Sequence, residues 1–204
     1  MSRVLAVALV SLTLQMAAWA DGIKLVNKFG TITISNAGIA SKGSELSQFN
    51  SLTAGKGNSL GSMSFATGAL LTGSVLTGGT FSSVGSRFTA MGVGNAGQPK
   101  GVIFNGAFVG SILWTLVSQH GASLVFELSG QLSGRTQNGA TISGQTTQTF
   151  YTTKAQLAKG IVHILSGNTN LYGVPEPGTL SLLATGLLGI GLAVHRNLAV
   201  KSAS

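Results

Sequence analysis

Residues 123–132 read SLVFELSGQL, and the order of apolar and polar residues in them decides the fold. Leu124, Phe126, Leu128 and Leu132 fall on one side of an extended chain, with Glu127, Ser129 and Gln131 on the other. That period of two belongs to a half-buried strand, not to a helix. Working outward, the signal recurs. GTITIS (30–35) alternates Ile32 and Ile34 with threonine, while TQTFYTT (147–153) and GIVHIL (160–165) are rich in β-branched or aromatic residues. Gly, Asn and Ser punctuate these runs, and Asn138-Gly139 is a hairpin pair. Only TTKAQLAKG (152–160) reads as a short helix, ended by Gly160. VIFNGAFVGSILWTLV (102–117) imitates a membrane span, but Gly106, Gly110 and its β-branched content predict two buried strands joined near Gly110-Ser111. TGALLTGSVLTGG spaces Thr67, Thr72 and Thr77 five apart, too few copies for a solenoid. The fold expected from Ile23 to Tyr172 is all-β, a sandwich or sheet-rich roll.

Composition narrows the function. The chain has 204 residues, 44% hydrophobic and 8% charged, with 30 glycines, no cysteine and a formal net charge of +8. Lacking thiols, it has neither disulfides nor thiolate metal ligands, and burial and backbone pairing must hold it together. Gly, Ser and Thr take the surface role that Lys and Glu fill elsewhere, as suits a secreted scaffold. Lys24, Lys28, Lys42, Lys56, Arg87, Lys100, Arg135, Lys154 and Lys159 face only Asp21, Glu45 and Glu127, plus Glu176 in the tail. This excess attracts polyanions weakly, acidic polysaccharide, lipopolysaccharide or nucleic acid among them. The charges are scattered and not interleaved with aromatics, which argues against specific nucleic-acid recognition.

Candidate chemistry is thin. GNSLG (57–61) matches G-x-S-x-G with Ser59 as nucleophile, and Glu127 and His163 follow in the order of an α/β-hydrolase. Neither SLTAGK before it nor SMSFATG after it supplies the strand–turn–helix that the motif needs. A glycosidase pair would have to be Glu45 and Glu127. A metal site would need His120, His163 and one of those carboxylates, without supporting spacing. His163 is read as a half-buried, hydrogen-bonded residue opposite Val162 and Ile164, and His120 as a turn residue before Gly121. Trp114, Tyr151 and Tyr172 are the aromatics that could stack on sugar rings, although Trp114 lies in the most apolar run and reads as core. No cofactor is called for. A non-enzymatic domain is the leading reading, with an envelope hydrolase acting through Glu45/Glu127 or Ser59 as the alternative.

The two ends speak of location. Met-Ser-Arg, the apolar run VLAVALVSLTLQMAAWA and Ala18-Trp19-Ala20 before Asp21 make a signal peptide (1–20) cleaved after Ala20; an uncleaved anchor is the alternative. At the other end, Thr179 to Val194 is an apolar-plus-small run of sixteen residues. As a helix it would reach about 24 Å, slightly short of a hydrocarbon core of about 30 Å. A buried core helix is the other reading, but the position after a Pro-rich break and before basic residues favours a transmembrane helix over about 179–194. His195 and Arg196 form its cytoplasmic stop. Pro175-Glu176-Pro177-Gly178 holds the chain extended just before it.

VPEPGTL, the Leu/Gly-rich segment and the basic end together resemble the PEP-CTERM sorting signal of exported bacterial proteins, from Val174 to about Lys201. The resemblance implies that an exosortase, a membrane-embedded transpeptidase-like enzyme, recognises Pro175, Glu176 and Pro177. It further implies a Gram-negative-type envelope and a cell that makes exopolysaccharide or biofilm. Members of the family usually end in a tight Arg cluster, which thins here to His195-Arg196 with eight residues following. The chain therefore divides into a signal peptide (1–20), a secreted all-β domain (21–173) and a sorting segment (174–204), with the secretion machinery, the exosortase, the membrane and acidic exopolysaccharide as expected partners. N-terminal sequencing of the exported protein is expected to begin Asp-Gly-Ile-Lys, from Asp21. A chain starting at Met1 would show that the segment is an anchor.

Overall fold

Four consecutive long strands make the main wall, and their length follows from the unbroken alternation in the second half of the sequence. They are β10 (Lys100–His120), β11 (Ser123–Thr136), β12 (Thr141–Thr153) and β13 (Ile161–Gly173), each antiparallel to the next. The computed structural model describes residues 22–173 and Gly186. Nine shorter strands precede the wall: β1 (Ile23–Lys28), β2 (Thr31–Ser35), β3 (Gly38–Lys42), β4 (Ser44–Phe49), β5 (Leu52–Thr53), β6 (Gly61–Ala66), β7 (Leu70–Ser74), β8 (Gly78–Phe81) and β9 (Arg87–Val93).

These short strands close the sheet in two tiers. In one tier β1 pairs with the C-terminal half of β13, from Ile23↔Leu171 to Lys28↔Ser166. The circuit then runs through β4, β6 and β9 back to the first part of β10, so eight strands go once round. In the other tier β2 pairs with the start of β13 and with β3, whose Ala40 meets Ala66 of β6, while the β7–β8 hairpin pairs with the second part of β10. Single backbone bonds link the two groups: Thr67 N–H, just after β6, to Ile39 O of β3, and Leu70 N–H of β7 to Asn36 O in the β2–β3 turn, both at 2.9 Å. All thirteen strands belong to one sheet.

The protein is thus all-β as expected, but its architecture is a barrel, not two stacked sheets. Bulges supply the curvature. Between Val109↔Gln131 and Leu113↔Ser129, residues 110–112 of β10 oppose Gly130 alone, and Gly110 there has φ 72°. Extra residues on one strand bend it and raise its twist, which is how a flat ribbon wraps round. The same bulge corrects the expectation of two strands joined near Gly110-Ser111, since a single strand runs through and kinks. The short helix is where the sequence placed it, α1 (Lys154–Ala158). Thr153 and Gln156 form a capping box at its start, and Gly160 follows its end with φ 70°. The predicted signal helix (1–20) and transmembrane helix (about 179–194) lie outside the described residues. Among the described residues no helix is long and apolar enough to cross a membrane.

Aromatic residues fill the interior. Phe65, Phe81, Phe88, Phe104, Phe126, Phe150 and Trp114 are all essentially buried. Trp114 stacks on Phe126 with centroids 4.5 Å apart and an interplanar angle of 5°. Its indole Nε1 donates to Val75 O at 3.0 Å, so the ring's one polar atom is satisfied. Burial stabilises each such ring by roughly 1.5–3 kcal/mol, and each aromatic pair adds about 0.5–1.5. An eight-stranded barrel is just wide enough to be packed solid in this way.

One sector of the interior is polar. Where β12, β13 and β1 meet, Asn27 Nδ2 donates to Gln148 Oε1 and to Ser44 Oγ, both at 2.9 Å. Gln148 Nε2 donates to Thr146 Oγ1 at 2.9 Å, and that hydroxyl lies 2.8 Å from Thr169 Oγ1. All five side chains are buried. Gly167 sits between them in register with both Asn27 and Gln148. A Cβ on Gly167 would collide with the two carboxamide oxygens, and the hydrogen bonds donated by the same groups' amide nitrogens keep both side chains from moving aside. Gly167→Ala is therefore expected to destabilise the barrel by about 1–3 kcal/mol in chemical denaturation. In a Gln148→Ala background the same substitution should cost at least about 1 kcal/mol less, because one of the obstructing oxygens is gone.

Candidate functional site

The outer wall of β10–β13 is where the structure concentrates features that a partner could read. On β12 the odd-numbered residues point outward and the even-numbered ones inward. Thr141, Ser143, Gln145, Thr147, Thr149, Tyr151 and Thr153 consequently form an outward ladder of hydroxyls and one amide. The interior is aromatic and this exterior is polar, the reverse of a barrel that faces lipid. Register joins the ladders of neighbouring strands into rows. One row runs Val125–Tyr151–His163–Thr31 across β11, β12, β13 and β2. Another runs Gln131–Gln145–Asn170–Lys24 across β11, β12, β13 and β1. Charge is sparse: the outward residues of β11 include Glu127 and Arg135, and those of β12 include no Asp, Glu, Lys or Arg.

Near the β11 start of this wall the surface turns apolar. Tyr151 is 39% exposed, Ile161 41%, Leu165 50% and Val117 59%. Ile161, His163 and Leu165 are all exposed along β13, Leu165 at a bulge in its pairing with β12. Tyr151 OH and Ser123 Oγ lie 3.1 Å apart, which draws the phenol from β12 across towards β11. His163 is exposed, in contrast to the half-buried, hydrogen-bonded residue expected. The reason is curvature, because side chains on a convex outer face diverge from their neighbours.

The other candidates are dispersed. Trp114 is in the core. Tyr172 is exposed on the same wall as Tyr151 but near its other end, as Ser143 is its register partner and lies eight residues along β12. That separation is about 27 Å at strand rise. The Ser59 hydroxyl lies against the backbone carbonyls of Leu46 and Gly61 and accepts the Gly61 N–H at 3.1 Å. The chain continues from Ser59 into strand β6, not into a helix. Glu45 on β4 and Glu127 on β11 point outward from strands on opposite sides of the eight-strand circuit, so they share no cleft. His120 is the last residue of β10, paired with Ser123, so it ends a strand and the turn expected of it begins at Gly121, whose φ is 60°. Among the described residues no group of three or more His, Asp or Glu is placed to hold a metal ion.

Sequence reasoning passed over Val117, Ile161 and Leu165 as surface residues. A signal existed in GIVHIL, where apolar residues occupy both faces of one strand and one set must therefore face out. The sorting residues Pro175, Glu176 and Pro177, the cleavage residues Ala18, Ala20 and Asp21, and the stop residues His195 and Arg196 lie outside the described residues.

No curated protein and no solved structure matches the chain. A family model for the PEP-CTERM protein-sorting motif matches residues 173–197, starting at the last residue of β13. The chain therefore carries a PEP-CTERM protein-sorting motif at its C-terminal end, which implies export and processing by exosortase-type machinery.

Proposed function

We propose that this is an envelope-anchored surface or extracellular-matrix protein whose barrel acts by binding, not by catalysis. The observation that carries the reading is the sorting motif at residues 173–197. On this reading the signal peptide is removed after Ala20 and the barrel reaches the outer side of the inner membrane. Residues 179–194 hold it there, with His195 and Arg196 on the cytoplasmic side. The exosortase then engages Pro175, Glu176 and Pro177 and passes the protein to the cell surface or matrix. There the barrel associates with exopolysaccharide. Its hydroxyl and amide rows offer hydrogen bonds, and its net positive charge supplies a weak long-range attraction to acidic chains. A non-catalytic role is favoured by the outward, opposed positions of Glu45 and Glu127 and by the backbone engagement of Ser59.

Intact-mass measurement of membrane and medium fractions from an exosortase-bearing host tests the sorting step. The wild-type chain is expected to be trimmed near Pro175 to Pro177, and Glu176→Ala to remain full-length in the membrane. Identical untrimmed masses for both would reduce the tail to a simple anchor.

A further inference from the structure

We propose that the apolar stripe on the outer wall, with Tyr151 at its centre, is a binding site for the uncharged sugar rings of a polysaccharide strand. The inference rests on the exopolysaccharide reading above and gives it a place and a ligand class.

Three observations carry it. First, the stripe combines an accessible aromatic ring with apolar neighbours, Val117, Ile161 and Leu165, each more than 40% exposed. Pyranose rings have an apolar face, which leaves water favourably against such a surface. Second, hydroxyl side chains border the stripe on β2, β11 and β12, with Thr31, Ser123 and Thr149 on the same outward face. They can exchange hydrogen bonds with sugar hydroxyls without immobilising long side chains. Third, Val125, Tyr151 and His163 stand in register on adjacent strands. Strands are spaced by about 4.8 Å, so this row spans about 10 Å, the scale of two linked sugar rings. A glycan lying across the strands would meet one side chain of the row at each step.

Charge selects the ligand class within polysaccharides. Val117, Val125, Tyr151, Ile161 and Leu165 carry no charge, and Glu127 is the outward residue next along β11 from Val125. A carboxylated sugar seated here would be desolvated with a like charge beside it, whereas a neutral hexose meets no such penalty. A second copy of the chain fits less well, because stable dimer interfaces have a continuous apolar centre and this one is interrupted by hydroxyls.

The test is cosedimentation of the full chain, in non-ionic detergent, with two insoluble uncharged glucans (β-linked cellulose and α-linked starch granules) and with calcium-gelled alginate as the acidic probe. Wild-type protein is expected to sediment with an uncharged glucan, and added salt should leave that binding unchanged. Tyr151→Ala should weaken it about fivefold to tenfold. Tyr151→Phe keeps the ring and should retain most of the binding. Tyr172→Ala removes an exposed tyrosine at the other end of the wall and should change nothing. Unaltered thermal melting of Tyr151→Ala would exclude unfolding as the cause. Sedimentation with alginate alone, indifferent to Tyr151→Ala, would overturn this site and leave the exopolysaccharide reading standing. Binding to none of the three probes would overturn both. Self-association of the wild-type chain that Tyr151→Ala abolishes, without glucan binding, would reassign the face to contact between copies.

Discussion

The pairing of β1 with β13 is the contact on which the remainder of the barrel depends. Six residues at the start of the domain lie against the C-terminal half of its last strand. Without that contact one tier of the sheet would end in two open edges, each a row of unpaired backbone groups that invites other chains to add to it. Closure also keeps the aromatic interior dry. Phe65 on β6 meets Phe150 on β12, a strand with which β6 shares no ladder, only because the wall comes round. The partners in this seam are separated by more than half the chain, so loop-closure entropy must be met before burial can repay it.

The buried polar cluster stands at this seam, and its position suggests why it is tolerated. Apolar side chains accept many registers, whereas Asn27, Gln148, Ser44, Thr146 and Thr169 satisfy one another in only one. A slip of one residue in β1 would place Val26 or Lys28 where Asn27 now sits and strand the carboxamide of Gln148. The set is not fully satisfied even so. Asn27 Oδ1 has no hydrogen-bond partner among the described residues. Gly167 is the other half of the device, because two carboxamides fit between three strands only where a side chain is missing.

Much of this could be read in the sequence, and what could not has a common cause. Alternation identified the strands around Phe126 and Ile32, a trailing glycine marked the end of the helix, and the apolar run placed Trp114 in the core. Each of these is a local property. Closure is not, for nothing in IKLVNK says that its partner is SGNTNL. The bulge at Gly110 imitates a turn, which is why one strand looked like two. In TISGQTTQTFYTT nearly every residue is polar, so only Ile142 and Phe150 reveal which face is inward. The sorting motif was legible because it is a linear signal that needs no folded context. The stripe around Tyr151 was obscured because apolar residues in a strand are read first as core.

The chain enters the barrel at Gly22 and leaves it at Gly173 on the same end, since Ile23 and Leu171 are register partners. This sets how the domain would meet mechanical load. A force drawn between those two ends would peel β1 from β13 one residue pair at a time, and each step would resist with only a pair's hydrogen bonds. A force entering at Gly173 and leaving through a ligand held beside Tyr151 would instead run along β13. There it would load the hydrogen bonds to β12, β1 and β2 together, as a shear. On the proposed tether and ligand site, the barrel would be loaded in its stronger direction.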